Sequence, residues 1–384
     1  MVWKRQKPVI SEPPVEPSLI LWLIAGITAL VTGMLLFVLH ASQILGPFQS
    51  DNIWILSAIP LVIWFILVCL RGWFYNKAFN RYKFETDEAV YAQQQWSEWA
   101  GRYLAVLHSG VLLPGSLTAV HLIQPPPGLE RHGQQTRRIA WSEAEGLAIL
   151  LGDVSDILSQ LPIDLPLNVT LLTDSPQDIS ALHALFNVCW NERVPGERQI
   201  SDLNIVQSYS LQTLDERLKS PEISVELILV QQLQGGDKYS DALGVLLLAS
   251  DDVATKYQFA HPARLLRPMD LDTSRLSEEL TLFFSTQTQA NRTQFIAGDH
   301  QYWADNFSEL LQASEAFGGG WKTEQTQWLE NLSGICGPFS PWIMAAVSSD
   351  IVRLQQTDCL MLCSDDRQRF ITTVTTGNKN EGNG

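Results

Sequence analysis

The chain has 384 residues, 46% of them hydrophobic and only 17% charged, with a formal net charge of −15. Acidity of that size disfavours nucleic acid, or a broad anionic lipid surface, as a partner. The five cysteines show no spacing typical of a disulfide framework, which suits a reducing compartment and an α/β rather than a disulfide-stapled fold.

Residues 1–17 are rich in proline between Pro8 and Pro17 and read as an extended, disordered tail. Two uncharged apolar stretches follow, Ser18 to Leu39 and Ile53 to Leu70, and the segment from 40 to 52 contains no Lys or Arg. A hydrocarbon core of about 30 Å needs about 20 helical residues, so residues 18–70 are expected to form a transmembrane helical hairpin. Lys4, Arg5 and Lys7 precede it, and Arg71, Lys77, Arg81 and Lys83 follow it. Positive charge stays on the cytoplasmic side, so both termini are expected in the cytoplasm, and only the loop around Pro47 and Asp51 crosses. The chain reads as a multi-pass protein of the inner (cytoplasmic) membrane. Trp22, Trp54, Trp64, Trp73 and Tyr75 fit aromatic anchoring near the headgroups. Neither span holds an ionisable residue, which favours an anchor over a transporter.

Residues 71–115 read as a linker and an amphipathic helix, Glu85 to Leu107, with Trp96, Trp99, Tyr103 and Leu107 at helical spacing. Residues 116–376 then alternate between strand and helix patterns. In 116–250, Thr118 to Gln124 reads as a strand. The capping box Ser142/Glu145 opens a helix that buries Leu147, Leu150, Leu151, Val154 and Leu158. Leu167 to Leu172 is a strand, and Ser175-Pro176 starts a helix reaching Trp190. Asn204 to Tyr209 is a strand, Leu211 to Leu218 a short helix, and Val225 to Leu233 and Gly244 to Ala249 are strands. In 260–376 the order repeats. Ala263 to Leu266 is a strand, Ser274 to Ser285 a helix, Gln294 to Ala297 a strand, and Tyr302 to Phe317 a helix stopped by Gly318-Gly319-Gly320. Trp328 to Leu332 is a strand, Pro341 to Leu354 a helix, and Cys359 to Cys363 and Phe370 to Val374 are strands turning at Asp365-Asp366. Residues 377–384 read as a loose polar tail. The expected fold class is α/β: a duplicated βαβαβαββ cytoplasmic domain behind the hairpin.

That order, with the run Gly334-Ile335-Cys336-Gly337-Pro338-Phe339-Ser340 ahead of the last long helix, resembles the thiolase and β-ketoacyl synthase superfamily. The resemblance covers residues 118 to 376 and implies two similar halves packed sheet against sheet around central helices. It also implies a nucleophilic cysteine at the start of a buried helix and two histidines, or a His and an Asn, to stabilise an oxyanion. In this chain the matching helix starts at Ser210-Leu211-Gln212, without cysteine. The first histidine loop falls at Gly298-Asp299-His300, and the second holds Cys336 instead of histidine. His300 and Cys336 are therefore the only catalytic candidates, and the resemblance implies a lost active site.

Other signals point to structure. Cys359 and Cys363 stand four residues apart on a strand, roughly 13 Å, too far to share a metal ion. Cys189 lies in an apolar run and reads as core. Gly318 to Thr323 lacks the spacing of a phosphate-binding loop and reads as a helix stop. Arg131, His132, Arg137 and Arg138 form the one basic cluster of the domain, a solvated loop or a contact for a partner or phospholipid. No cofactor is expected. The leading functional expectation is a non-catalytic membrane-anchored adaptor with protein partners, of the kind found as degenerate thiolase-like accessories of type VI secretion. The alternative is an acyl-transfer or acyl-binding enzyme at the membrane surface that uses His300 and Cys336.

Overall fold

The computed structural model describes residues 3, 9–44, 46, 52–125, 132–194, 196, 198–365 and 368–378. Lys4, Arg5, Lys7, the loop at Pro47 and Asp51, Arg131, Asp366 and the tail from 379 onward lie outside the described residues. The chain divides into two compact units, Met1–Gln95 and Trp96–Gly384.

In the first unit, α1 (Leu19–Ala41) pairs with the beginning of α2 (Ile53–Ala100). Ser18 caps α1 through its side chain, which accepts from Leu21 N. The two helices touch where α1 is small. A Cβ on Gly33 would lie 2.5 Å from the Ser57 carbonyl, and one on Gly26 would lie 2.9 Å from the Trp64 ring. Trp64 Nε1 donates to Trp22 O at 3.0 Å, and Phe37 and Trp54 pack with ring centroids 5.4 Å apart. These pairs run antiparallel, as in a hairpin. Both helices are long and apolar enough to cross a membrane by length and composition, and the apolar windows are 6% and 0% buried. Leu21, Ile24, Trp54 and Ile63 face outward with the rest.

The second unit begins with a strand that helical spacing conceals. The aromatic spacing of Trp96, Trp99, Tyr103 and Leu107 suggests one continuous helix, but α2 ends at Ala100 and β1 (Tyr103–Leu112) follows directly. Then come α3 (Ala119–Ile123), α4 (Glu143–Gln160), β2 (Leu167–Thr173), α5 (Ile179–Arg193), β3 (Asp202–Val206), α6 (Thr213–Lys219), β4 (Val225–Gln232) and β5 (Ala242–Ser250). After α7 (Asp251–Tyr257) come β6 (His261–Leu266), β7 (Met269–Leu271), α8 (Leu276–Thr286), β8 (Phe295–Gly298), α9 (Gln301–Asp305) and α10 (Phe307–Glu315). The chain closes with β9 (Thr326–Trp328), α11 (Leu329–Ser333), α12 (Ser340–Gln355), β10 (Cys359–Ser364) and β11 (Arg369–Asn378).

Four expectations are corrected here. Residues 118–124 form a helix rather than a strand; the first strand of the half is β1, so the sheet begins ahead of residue 116. Asp178, not Ser175, precedes the helix that ends at Arg193, because Ser175 Oγ accepts from Gln177 N in a turn. The stretch 328–332 is mostly helical, and its strand lies at 326–328. The helix from Tyr302 breaks at Asn306, whose side chain donates to Tyr302 O and competes with the helical ladder.

Among the described residues, eleven strands form one mixed sheet in the order β3-β2-β4-β5-β1-β6-β11-β10-β8-β9, with β7 paired to β11. Each half carries the same arrangement. Leaving out the short β7, the second strand of each half lies parallel to the third and fourth, and the fifth runs antiparallel between the fourth and the first. The halves join edge to edge, where β1 runs antiparallel to β6 over Tyr103–Val106. Helix α12, buried along most of its length, packs on the central strands of the sheet. Cys359 and Cys363 lie wholly buried in β10 and Cys189 in α5.

Candidate functional site

Two loops reach the N-terminal end of α12. One leaves β8 at Gly298-Asp299-His300; the other runs from Gly334 to Ser340. The second loop needs its glycines. Gly334 has φ +83° and a Cβ there would run into the Gln135 carbonyl, while a Cβ on Gly337 would collide with the Gln232 side chain.

Asp299 is the hub. Its side chain is fully buried and accepts from Trp303 Nε1 (2.9 Å), Ser340 Oγ (2.8 Å), Ser364 N (2.6 Å) and its neighbour His300 N (2.8 Å). Burial pushes its carboxyl above the usual range, against the pull of His300 and of these donors. The Cys336 thiol donates to Asp299 O at 3.4 Å. His300 stands at the start of α9 with Nδ1 3.5 Å from Glu330 Oε2 and Nε2 3.8 Å from Asp299 Oδ2. Glu330 also accepts from Gln301 N at 2.8 Å, and its own N–H donates to Asp299 O. The structure thus brings His300 and Cys336 onto one network, and it adds Glu330, which no motif marks.

Burial first, then the charges of Asp299 and Glu330, raise the Cys336 thiol well above its ordinary pKa, where a nucleophile needs the reverse. Burial thus outweighs whatever the nearby start of α12 offers a thiolate. The cavity beside Cys336, lined by Gln232, Leu329, Ile335 and Ile343 among others, measures about 20 Å³, room for about one water and not for an acyl chain. At the position where the resemblance implies a nucleophile, Leu211 is buried and Ser210 Oγ accepts from Gln212 N. Next to it the Tyr209 ring stacks on Trp342 of α12 at 5.1 Å, and Trp342 Nε1 donates to Tyr209 O at 2.7 Å. An aromatic pair thus joins the segment ahead of α6 to α12.

The His300–Glu330 pair makes a testable pH signature. Burial depresses the His300 pKa, but the bond to Glu330 and the charges of Asp299 and Glu330 outweigh it and raise it. Burial likewise raises Glu330, and the His300 contact, the Gln301 N–H and the His300 charge more than reverse this. His300 therefore adds stability below its unfolded pKa of about 6.5, lost as pH rises through the folded value. Glu330 adds stability above its unfolded value, lost as pH falls through its folded one. Urea unfolding measured across pH should show stability declining on the alkaline side, and His300→Gln should flatten that limb; an unchanged slope would exclude the pair as its source.

The basic loop is engaged internally. Arg137 Nη1 donates to Pro114 O and Leu332 O, Arg138 Nη1 lies 2.5 Å from Asp241 Oδ1, and His132 N donates to Asn331 O. Arg137 and Arg138 tie this loop to neighbouring segments of the domain. The Gly318 stretch ends α10, with Gly318 at φ +84° and Gly319 N donating to Ser314 O. Among the described residues no group of three or more His, Cys, Asp or Glu could hold a metal ion.

No family model matches the sequence, and no curated protein does. Solved structures similar to it include an oxazolomycin ketosynthase domain from Streptomyces albus, 11% identical over 73% of this chain and 96% of that one, with a TM-score of 0.47. A single-residue variant of Xanthomonas campestris OleA, bound with cerulenin, is 11% identical over 73% and 98%, with a TM-score of 0.45. 3-Oxoacyl-[acyl-carrier-protein] synthase III from Aquifex aeolicus is 12% identical over 71% and 100%, at 0.42. Likenesses at this level say nothing of activity, and a secretion accessory finds no support among them. With its five-strand order repeated in both halves, the second unit has a thiolase-like fold.

Proposed function

We propose that the chain is a membrane-anchored, non-catalytic protein whose thiolase-like unit works by binding other proteins in the cytoplasm. The observation that carries this reading is the state of Cys336. The one thiol at a family catalytic position is only partly exposed, raised in pKa and faces a cavity of about 20 Å³. Affinity capture from detergent-solubilised membranes tests it. Recovery of a bound acyl carrier or acyl-CoA without a protein partner would sink the proposal.

The second reading, an acyl-transfer or acyl-binding enzyme at the membrane surface, is favoured by the gathering of His300, Glu330 and Cys336 at the loops where the resembled enzymes carry their catalytic groups. Thiol chemistry separates the two. Treated at neutral pH with a thiol-directed acyl probe, the folded chain is expected to leave Cys336 unmodified, with labelling only after denaturation. Selective labelling of native Cys336, abolished by His300→Ala, would establish the enzyme.

The hairpin anchor with both ends in the cytoplasm rests on charge. Arg71, Lys77, Arg81 and Lys83 follow the second span on α2, and a basic residue at a span centre costs about 2.5–3.5 kcal/mol. A reporter active only in the cytoplasm should work when fused at the carboxyl terminus and fail at Pro47; the opposite pattern would place the thiolase-like unit outside.

A further inference from the structure

The sheet opens where its halves meet. β1 pairs with β5 along nearly its whole length but with β6 only from Tyr103 to Val106. Two local features end that second pairing. The β1/β5 register shifts between Val106 and His108, a bulge that bends the strand, and Pro262 on β6 has no N–H to offer. Among the described residues, the edge of β1 from Leu107 to Leu112 has no strand neighbour on the β6 side. A groove of about 660 Å³ runs along that edge between α3, α4 and α12. Its walls carry Val120, Ile149 and Leu354, exposed to 51%, 38% and 42%, from three different helices. Asp153 stands in it half exposed, with one carboxylate oxygen 2.8 Å from His108 Nε2. Opposite, Asp350 is neutralised by Arg353 and held by Ser109 Oγ, both through its Oδ1 atom.

We propose that this groove receives an extended segment of a partner protein, added as a strand beside β1, with alternate apolar side chains and a Lys or Arg facing Asp153. It rests on the protein-binding reading above and names the site and the chemistry of the partner. An unpaired edge offers alternate main-chain donors and acceptors that an added strand satisfies, and flanking apolar walls select alternate side chains. Charge fixes the sign of the partner. Asp153 supplies an accessible carboxylate within a chain of net charge −15, which repels an acidic segment. The contents of the groove separate it from the His300 network, which shares no residue with it.

The probe is a phage-displayed library of random 12-residue peptides selected on the detergent-solubilised full chain. The expected winners alternate apolar residues and carry Lys or Arg, and they slow amide exchange between residues 107 and 112. They bind at least tenfold more weakly to V120D/I149D, and Asp153→Asn weakens them too. The exchange measurement on the unaltered chain keeps the test decisive even if the double variant folds poorly. No selectable peptide, winners that bind as helices, or binding without protection of β1 would overturn the site. A protein partner captured equally well by V120D/I149D would also overturn it while leaving the protein-binding reading intact. Groove-dependent peptides without any partner from membranes would instead count against that reading alone.

Discussion

Arg267→Ala is expected to destabilise the second unit by about 3–5 kcal/mol, the effect of breaking a buried ion pair by removing one partner. The Arg267 side chain has no exposed surface. Its guanidinium stacks on the Trp99 ring with the carbon 4.1 Å from the centroid, donates through Nε to Trp99 O, and pairs through Nη1 with Asp215 of α6. Burial pulls its pKa down and the Asp215 charge holds it up, while Asp215 also faces Lys219 Nζ at 2.7 Å. Gln287 completes the cage by donating to Ala100 O and Arg267 O and accepting from Thr373 N. Arg267 and Gln287 together therefore fix the last turn of α2 to α6 and to β11. Arg267→Lys should recover little, because an ammonium cannot reach the Trp99 carbonyl and Asp215 in fork geometry. Urea unfolding of the full chain in detergent, followed by tryptophan fluorescence, measures the loss; a change below about 1 kcal/mol would mean that water enters and solvates the site.

Nothing in the sequence marks Arg267, and the reason is physical. Its partners lie 52 and 168 positions away, and no local period or cap reveals such a contact. Where the signal is local, the sequence is legible. Ser142 and Glu145 make the capping box they suggest, and Leu147, Leu150, Leu151, Val154 and Leu158 form the buried side of α4. The continuous apolar runs of β4 and β5 are buried at every position. Failure comes where two periods overlap. Tyr103 and Leu107 continue the helical spacing of Trp96 and Trp99, so the break at Gly101 and the central strand behind it are hidden. In the candidate site, His300 and Cys336 could be placed from the repeated element order. Glu330 could not, since α11 reads as the end of a strand and gives no sign of facing His300. The direction of the Cys336 shift was likewise out of reach, because it depends on burial and on two carboxylates brought from elsewhere in the chain.

Trp342→Ala is the second large effect expected, again about 3–5 kcal/mol, from lost burial and the void left behind. Trp342 is completely buried at the start of α12, and its ring lies against Tyr209, 133 residues earlier. The tyrosine is itself tied down, its hydroxyl accepting from Arg217 Nη2 at 2.6 Å, and Arg217 pairs with the buried Glu226 of β4. Alanine removes the stacking partner and leaves Tyr209 O without its donor. Trp342→Phe keeps an aromatic face but not the N–H, so its loss should be smaller, about 1–3 kcal/mol. The ordering of these two variants separates packing from hydrogen bonding. It also bears on the non-catalytic reading proposed above. If the plug alone kept the chain inactive, the alanine variant would gain acyl chemistry. With no cysteine at Ser210-Leu211-Gln212, the variant is expected to bind a small apolar probe such as benzene in the new void and to show no acyl-enzyme by mass spectrometry. An acylated Trp342→Ala protein would refute the non-catalytic reading at its root.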